Sequence, residues 1–414
     1  MTDIAGTVPV IAVDKVQAVA LAVCTYYFGV WLKGKVGVLS RYSIPSPVVG
    51  GMSFAIVVSF LEYFNIVKVQ IDSTLQTVLM LGFFTTIGLM ASLRVVKDGG
   101  RLLLGFLLAV TVLVFLQNGM GMAIAEAMGF DKHYGILAGS VSMMGGLGTA
   151  AAFGPYFEET YGITGGTAVA VTAATFGMVA ALLIGGPFGE WCIRRHQVKT
   201  PDEVQQPEPE LHLPDDMDTD ITEQHASAKP NFTNEIMRAV SVTALAMGLG
   251  TIVSNYLGHY ITLPAYIGAM IVATVIRNVG DFSGMYKVEG KGLNAVADIT
   301  LVLFVTMAIN NLKLHELVHL ALPLVVILAC QTILMLIYAW TVLFTAFGRS
   351  YDAVMLSVGG IGFSMGATAN GLANMQAISE KYGSSPRAWL IVSVVGAFLI
   401  DLINAVVITW FGTL

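Results

Sequence analysis

Runs of about 20 apolar residues recur along this chain, each long enough to cross about 30 Å of hydrocarbon as a helix. The first half holds five, at 14–32, 45–64, 74–92, 102–128 and 164–190. The second half holds five more, at 235–257, 261–278, 294–312, 316–346 and 388–412. Only 12% of the 414 residues are charged, about half of the roughly 25% that a soluble domain carries. A water-facing surface cannot be clothed with so few charges, so the expected fold class is an all-α polytopic membrane protein. The opening MTDIAGTVPVIAVDK lacks the basic segment of a signal peptide, so the first apolar run is expected to remain as a span.

The basic residues orient these spans. With the N-terminus outside, the loops on the cytoplasmic side hold 17 of the 21 Lys and Arg residues, and only Lys15, Lys68, Lys132 and Lys313 fall outside. Such a skew follows the positive-inside rule. It places both termini in the periplasm and the central linker in the cytoplasm. Residues 196–232 form that linker, polar and proline-rich, and nine of the chain's 27 acidic residues fall between Asp202 and Glu223. Its composition predicts a disordered tether, which divides the chain into a first unit at 1–195 and a second at 233–414.

Two further runs, 134–158 and 351–380, are apolar but crowded with Gly, Ser, Thr and Asn. Each is expected to form a re-entrant hairpin rather than a span. Counting either as one crossing would reverse every later loop and destroy the charge skew. The two units also echo each other: IPSPVVGGM (44–52) matches LPAYIGAM (263–270), FFTTIGL (83–89) matches LFVTMAI (303–309), GGLG (145–148) matches GGIG (359–362), and EETYG (158–162) matches SEKYG (379–383). Five spans per unit is an odd number, so the second copy must enter the membrane upside down. Inverted repeats with interrupted segments in corresponding places point to a secondary transporter whose site lies near the midplane.

Broken backbone is tolerated at membrane depth only where it is buried in protein or lines a wet cavity. Half-helix N-termini there offer N–H groups to an anion such as a carboxylate. Free carbonyls, with hydroxyls, offer hard oxygen ligands to Na⁺. Asp401, in GAFLIDLINA, is the one acidic residue deep inside a span. A carboxylate there calls for a cation partner, a substrate ammonium or Na⁺, and Asn404 shares its helical face. Gln117, Asn118 and Gln331 occupy corresponding spans and suit either interhelical bonding or site lining. Glu158 and Glu159 are expected to be solvated.

Other functions find little support. Cys24, Cys192 and Cys330 lie far apart and suggest neither a disulfide framework nor metal ligation. No basic stripe suggests nucleic acid, and no Walker motif suggests ATP-driven transport. A membrane enzyme would need His, Asp or Glu clustered at depth. An exchanger of inorganic cations would want paired intramembrane carboxylates or a lysine partner.

The stretches YSIPSPVVGG, LMLGFFTTIGL, GSVSMMGGLGTAAAFG, ATFGMVAALLIGGP, GFSMGATANGLANMQAI and VGAFLIDLINA resemble the bacterial sodium:glutamate symporter family over nearly the whole chain except the acidic linker. The resemblance implies Na⁺-coupled uptake of glutamate across the inner membrane. It also implies an elevator-type homodimer, with Na⁺ as coupling ion, no organic cofactor and no enzymatic activity. Under it, substrate is expected at Ser140, Ser142, Gly145, Gly146, Leu147, Gly148, Thr149, Gly366, Thr368, Asn370 and Asp401. Na⁺ is expected at Gly359, Gly360, Ser364, Asn374, Asn404 and Asn118. The sequence departs from the family pattern where Leu147 replaces a histidine of the first hairpin, and where Gly360–Ile361 replaces a His-Cys pair of the second. The alternative substrate is another amino acid or a dicarboxylate.

Overall fold

A computed structural model describes residues 9–37, 39, 44–94, 100–201, 232–257, 265–284, 286, 290–313 and 320–414. Most of the acidic linker, 202–231, lies outside the described residues. Each of the ten expected spans contains a helix. They are α1 (Lys15–Lys35), α2 (Ser46–Tyr63), α3 (Thr74–Met90), α4 (Gly100–Ala127), α7 (Gly166–His196), α8 (Phe232–Leu257), α9 (Ala265–Ser283), α10 (Lys291–Asn310), α11 (Ala321–Tyr338) and α14 (Pro386–Val394), which continues through a π-helical turn at Val395–Leu399 into α15 (Ile400–Gly412). Eight of these helical stretches are long and apolar enough to cross a membrane. The two others are α3, at 17 residues, and α9, which carries the Arg277–Asp281 ion pair in its last turns. The chain is therefore a predominantly helical, multi-pass membrane protein.

Local signals in the sequence explain several boundaries. Asp14 accepts from the backbone of Val16 and Gln17 at 2.8 and 2.9 Å, while Gln17 Oε1 accepts from Asp14 N, so a reciprocal capping box starts α1. Pro45 and Pro47 start α2, where their missing N–H groups cost nothing. One feature was not expected from the sequence: β1 (Val10–Val13) and β2 (Lys68–Ile71) form a short parallel pair tying the entry of α1 to that of α3.

The helices sort into two groups by their packing. One contains α1, α2, α3, α8, α9 and α10; the other contains α4, α7, α11, α14, α15 and both glycine-studded motifs. In the first group, residues of two echoed sequence segments pack alike. A Cβ at Gly50 would lie 1.8 Å from the Thr25 carbonyl oxygen where α2 crosses α1, and one at Gly268 would lie 2.8 Å from the Gly250 carbonyl oxygen where α9 crosses α8. The echoed VVGGM and YIGAM segments thus both serve close crossings. Gly50→Ala is expected to lower stability by about 2 kcal/mol or more, since backbone cannot yield as a flexible side chain does. A thermal melt of the purified protein reads this, with Gly186→Ala as the control, because a Cβ at Gly186 would meet nothing within 4 Å.

The two motifs are each a pair of helices around a break. The first runs through α5 (Lys132–Ile136) and a π-helical turn (Leu137–Val141), breaks at 142–145, and resumes as α6 (Gly146–Tyr161). Gly139 in that turn has non-helical angles, φ −89 and ψ −129. The second runs through α12 (Tyr351–Ser364), breaks at 365–367 and resumes as α13 (Thr368–Tyr382).

Candidate functional site

A cavity of about 510 Å³ lies between the two helix groups, a size that suits a small metabolite. One wall is the tips of the two motifs: Met144 to Thr149 from the first, and Gly366 to Ala369 from the second. The opposite wall is a stripe of α10, Ala297, Asp298, Leu301, Val302 and Val305, with Phe83, Thr86, Ile87 and Met90 of α3. Gly396, Ala397 and Asp401 close a third side.

The tips touch. Gly146 opens α6 at φ +63, and a Cβ there would lie 2.4 Å from the carbonyl oxygen of Gly366. Only glycine takes this left-handed angle cheaply and allows the second tip so close. Two helices of 16 and 15 residues, α6 and α13, therefore begin at the same cavity, and neither start has a side-chain cap. Of their first-turn N–H groups, those of Gly146 and Asn370 donate back to Ser142 O and Ala367 O. Those of Leu147, Gly148, Thr368 and Ala369 have no partner within their own helices, and the positive ends of both helix dipoles meet there.

Asp401 lines the cavity half-buried, just past the π-helical turn, and has no hydrogen-bond or ion-pair partner among the described residues. Sequence reasoning missed a second carboxylate. Asp298 lines the same cavity from α10, within the expected span 294–312, so Asp401 is not the only acidic residue at this depth of the chain. A signal existed: Asp298, Leu301, Val302 and Val305 fall at i, i+3, i+4 and i+7, one stripe of a helix.

Of the residues expected at the site, Gly145, Gly146, Leu147, Gly148, Thr149, Gly366, Thr368 and Asp401 line the cavity. The others stand behind it. Ser142 Oγ donates to Leu137 O and to Ala170 O at 2.7 Å, bracing the first break against α7. Asn370 and Asn374, one turn apart on α13, donate to the Met178 and Ala181 carbonyls of α7 at 2.9 and 3.0 Å. Asn118 Oδ1 accepts from Ser140 N at 2.9 Å, and Asn404 Nδ2 donates to Ser140 O at 3.0 Å. Ser364 is buried at the last residue of α12, with its carbonyl accepting from Gln117. Gly359 and Gly360 lie inside α12 rather than at its break, packed against Met375, Val392 and Leu343. Glu158 is not simply solvated: its Oε1 accepts from Thr167 N at 2.7 Å, joining the end of α6 to the start of α7. No group of His, Cys, Asp and Glu suited to hold a metal ion occurs among the described residues.

The fold and cavity together define a multi-pass helical membrane protein with a small internal chamber walled by broken helices. A family model described as sodium/glutamate symporter matches residues 11–384. The sodium/glutamate symporter of Escherichia coli (strain K12) is 37% identical over 397 residues, covering 95% of this chain and 96% of that protein. The sodium/glutamate symporter of Haemophilus influenzae is 34% identical over 395 residues, covering 94% of this chain and 95% of that protein. The chain belongs to the sodium/glutamate symporter family, and so is a transporter rather than an enzyme.

Proposed function

We propose that this protein carries L-glutamate into the bacterial cell by Na⁺-coupled symport across the inner membrane, as a homodimer working by an elevator form of alternating access. The observation that carries the reading is the pairing of two uncapped helix starts with an unpartnered carboxylate in one cavity. Glutamate has two carboxylates and one ammonium. Each carboxylate meets one helix start, near Leu147–Gly148 and near Thr368–Ala369, and the ammonium meets Asp401. The motifs at 132–161 and 351–382 act as re-entrant hairpins of two inverted repeats, entering from opposite faces. The matched packing of Gly50 on α1 and of Gly268 on α8 supports that symmetry.

In this reading the group holding the motifs moves against the group built from α1, α2, α3, α8, α9 and α10. The cavity reaches Pro45 and Met90, at the helix ends nearest the basic loops, so the arrangement is an inward-facing one. The apolar side chain of Leu147 lines the cavity where the family resemblance expects a histidine. It adds no polar partner for the side-chain carboxylate, which leaves that role to backbone N–H groups.

The test is uptake of labelled glutamate, aspartate and dicarboxylates into proteoliposomes, with an inward Na⁺ gradient or with choline in its place. Glutamate accumulation that needs Na⁺ is expected; equal uptake in choline would remove the coupling, and preference for a dicarboxylate would replace the substrate. A second reading draws on Asp298 and Asp401 sharing one cavity, the carboxylate pair that an inorganic-cation exchanger requires. Na⁺ efflux driven by a proton gradient with no amino acid present would favour it.

A further inference from the structure

Thirteen buried side-chain atoms lack a hydrogen-bond partner among the described residues, and six of them belong to two small clusters behind the motif breaks. The clusters differ in what is left over. Behind the first break, Asn118 Nδ2, Ser140 Oγ and Asn404 Oδ1 are unpaired, a donor among acceptors. One buried water satisfies such a set. Behind the second break the unpaired atoms are Gln117 Oε1, Gln331 Oε1 and Ser364 Oγ, all oxygens.

The three residues of this second set are joined. Gln117 Nε2 donates to Ser364 O at 3.0 Å, and Gln331 Nε2 donates to the Gln117 carbonyl at 2.8 Å. These bonds use both amide nitrogens and so fix both amide oxygens as free acceptors. The exposures of Gln117, Gln331 and Ser364 are 1%, 1% and 0%, and an unsatisfied acceptor that deep costs about 1–3 kcal/mol. Ser364 is also the last residue of α12, a 14-residue helix. The negative end of its dipole falls here, with the last-turn carbonyls that lack an intrahelical donor, of which Ser364 O is met by Gln117. Hard oxygen ligands beside a helix C-terminus, with the Ser364 hydroxyl free to turn its proton away, together suit a small cation.

We propose that Gln117 Oε1, Gln331 Oε1 and Ser364 Oγ, with the terminal carbonyls of α12, form a Na⁺ site; the identity of the ion rests on the symporter reading above. The site joins α4, α11 and the second break. Occupancy fixes where α12 ends, and so sets Gly366 against Gly146 and the start of α13 against the substrate. The same α4 step reaches the first motif, because Asn118 is bonded to Ser140 N. Na⁺ binding therefore precedes tight glutamate binding and completes its site.

Ser364→Ala removes one ligand oxygen and adds no volume; Gln331→Met removes the amide at nearly constant volume. Each full-length protein is purified and its melting temperature measured against Na⁺ at constant ionic strength in choline, without glutamate. Glutamate binding is then measured at low and saturating Na⁺. Both variants are expected to need about tenfold more Na⁺ or more for half-maximal stabilisation, the loss of one oxygen–cation contact. Their glutamate affinity should return close to the wild-type value at saturating Na⁺. A wild-type Na⁺ midpoint in either variant, whatever its melting temperature in choline, overturns the site while leaving the symporter reading intact. A wild-type protein indifferent to Na⁺ overturns that reading and the site together.

Discussion

Asp401→Asn is expected to reduce Na⁺-driven glutamate uptake by about 30-fold or more, the ~2 kcal/mol lower bound for removing one member of a desolvated charge pair. The substitution keeps size and hydrogen-bonding capacity and removes only the charge. Asp401 has no hydrogen-bond partner among the described residues, so nothing in the resting fold depends on its carboxylate. The melting temperature should hold, or rise slightly as an isolated charge leaves a low-dielectric site. Wild-type uptake in this variant would refute the assignment of Asp401 to a cationic group of the cargo.

Gly146→Ala should have an effect as large, by a different route. The residue sits at φ +63, which costs a non-glycine residue about 1–2 kcal/mol, and its new methyl would press to 2.4 Å of the Gly366 carbonyl oxygen. The two tips would have to separate, and with them the two helix starts that face the substrate. Uptake is expected to fall to background while the helical content is unchanged. Gly360→Ala provides the contrast. Its Cβ would meet Leu343 Cδ1 at 2.7 Å, the far end of a flexible side chain, so a rotamer change can absorb much of the insult. Equal and severe loss in both variants would point to general packing rather than to the contact between the tips.

That contrast also marks what the sequence could and could not reveal. The apolar helices were legible because hydrocarbon demands apolar length: each expected range holds a helix, and eight of these are long and apolar enough to cross a membrane. The existence of two interrupted motifs was legible from their glycines and small polar residues. The positions of the breaks were legible in only one case. In GGLG the glycines sit at the break itself, whereas in GGIG they lie within α12 and serve close packing, with the break three residues beyond Gly362 at Met365. Glycine suits both roles, and only a neighbouring backbone decides between them.

Polar residues behaved similarly. Asn370 and Asn374 share a motif with the cavity-lining residues, yet their side chains bind α7 carbonyls, since burial among helices makes any free carbonyl a partner. Asp298 was hidden by position: it lies two turns from Lys291, where a charge is ordinarily a helix-end residue. Gln117 and Gln331 were visible as intramembrane amides, but their joint relation to Ser364 depends on three helices meeting, which no local pattern encodes. The pairing of β1 with β2 is equally non-local.

The central claim is that the chamber between the helix groups is the substrate site and that Na⁺ completes it. Ala369 is exposed and lines that chamber, so a single cysteine there, in a protein freed of Cys24, Cys192 and Cys330, reports on it directly. Its labelling rate by a small thiol reagent is measured with glutamate alone, Na⁺ alone and both together. Slowed labelling that requires glutamate and Na⁺ together is the predicted result. Labelling at the same rate in all three conditions, in a protein that still transports, would contradict it.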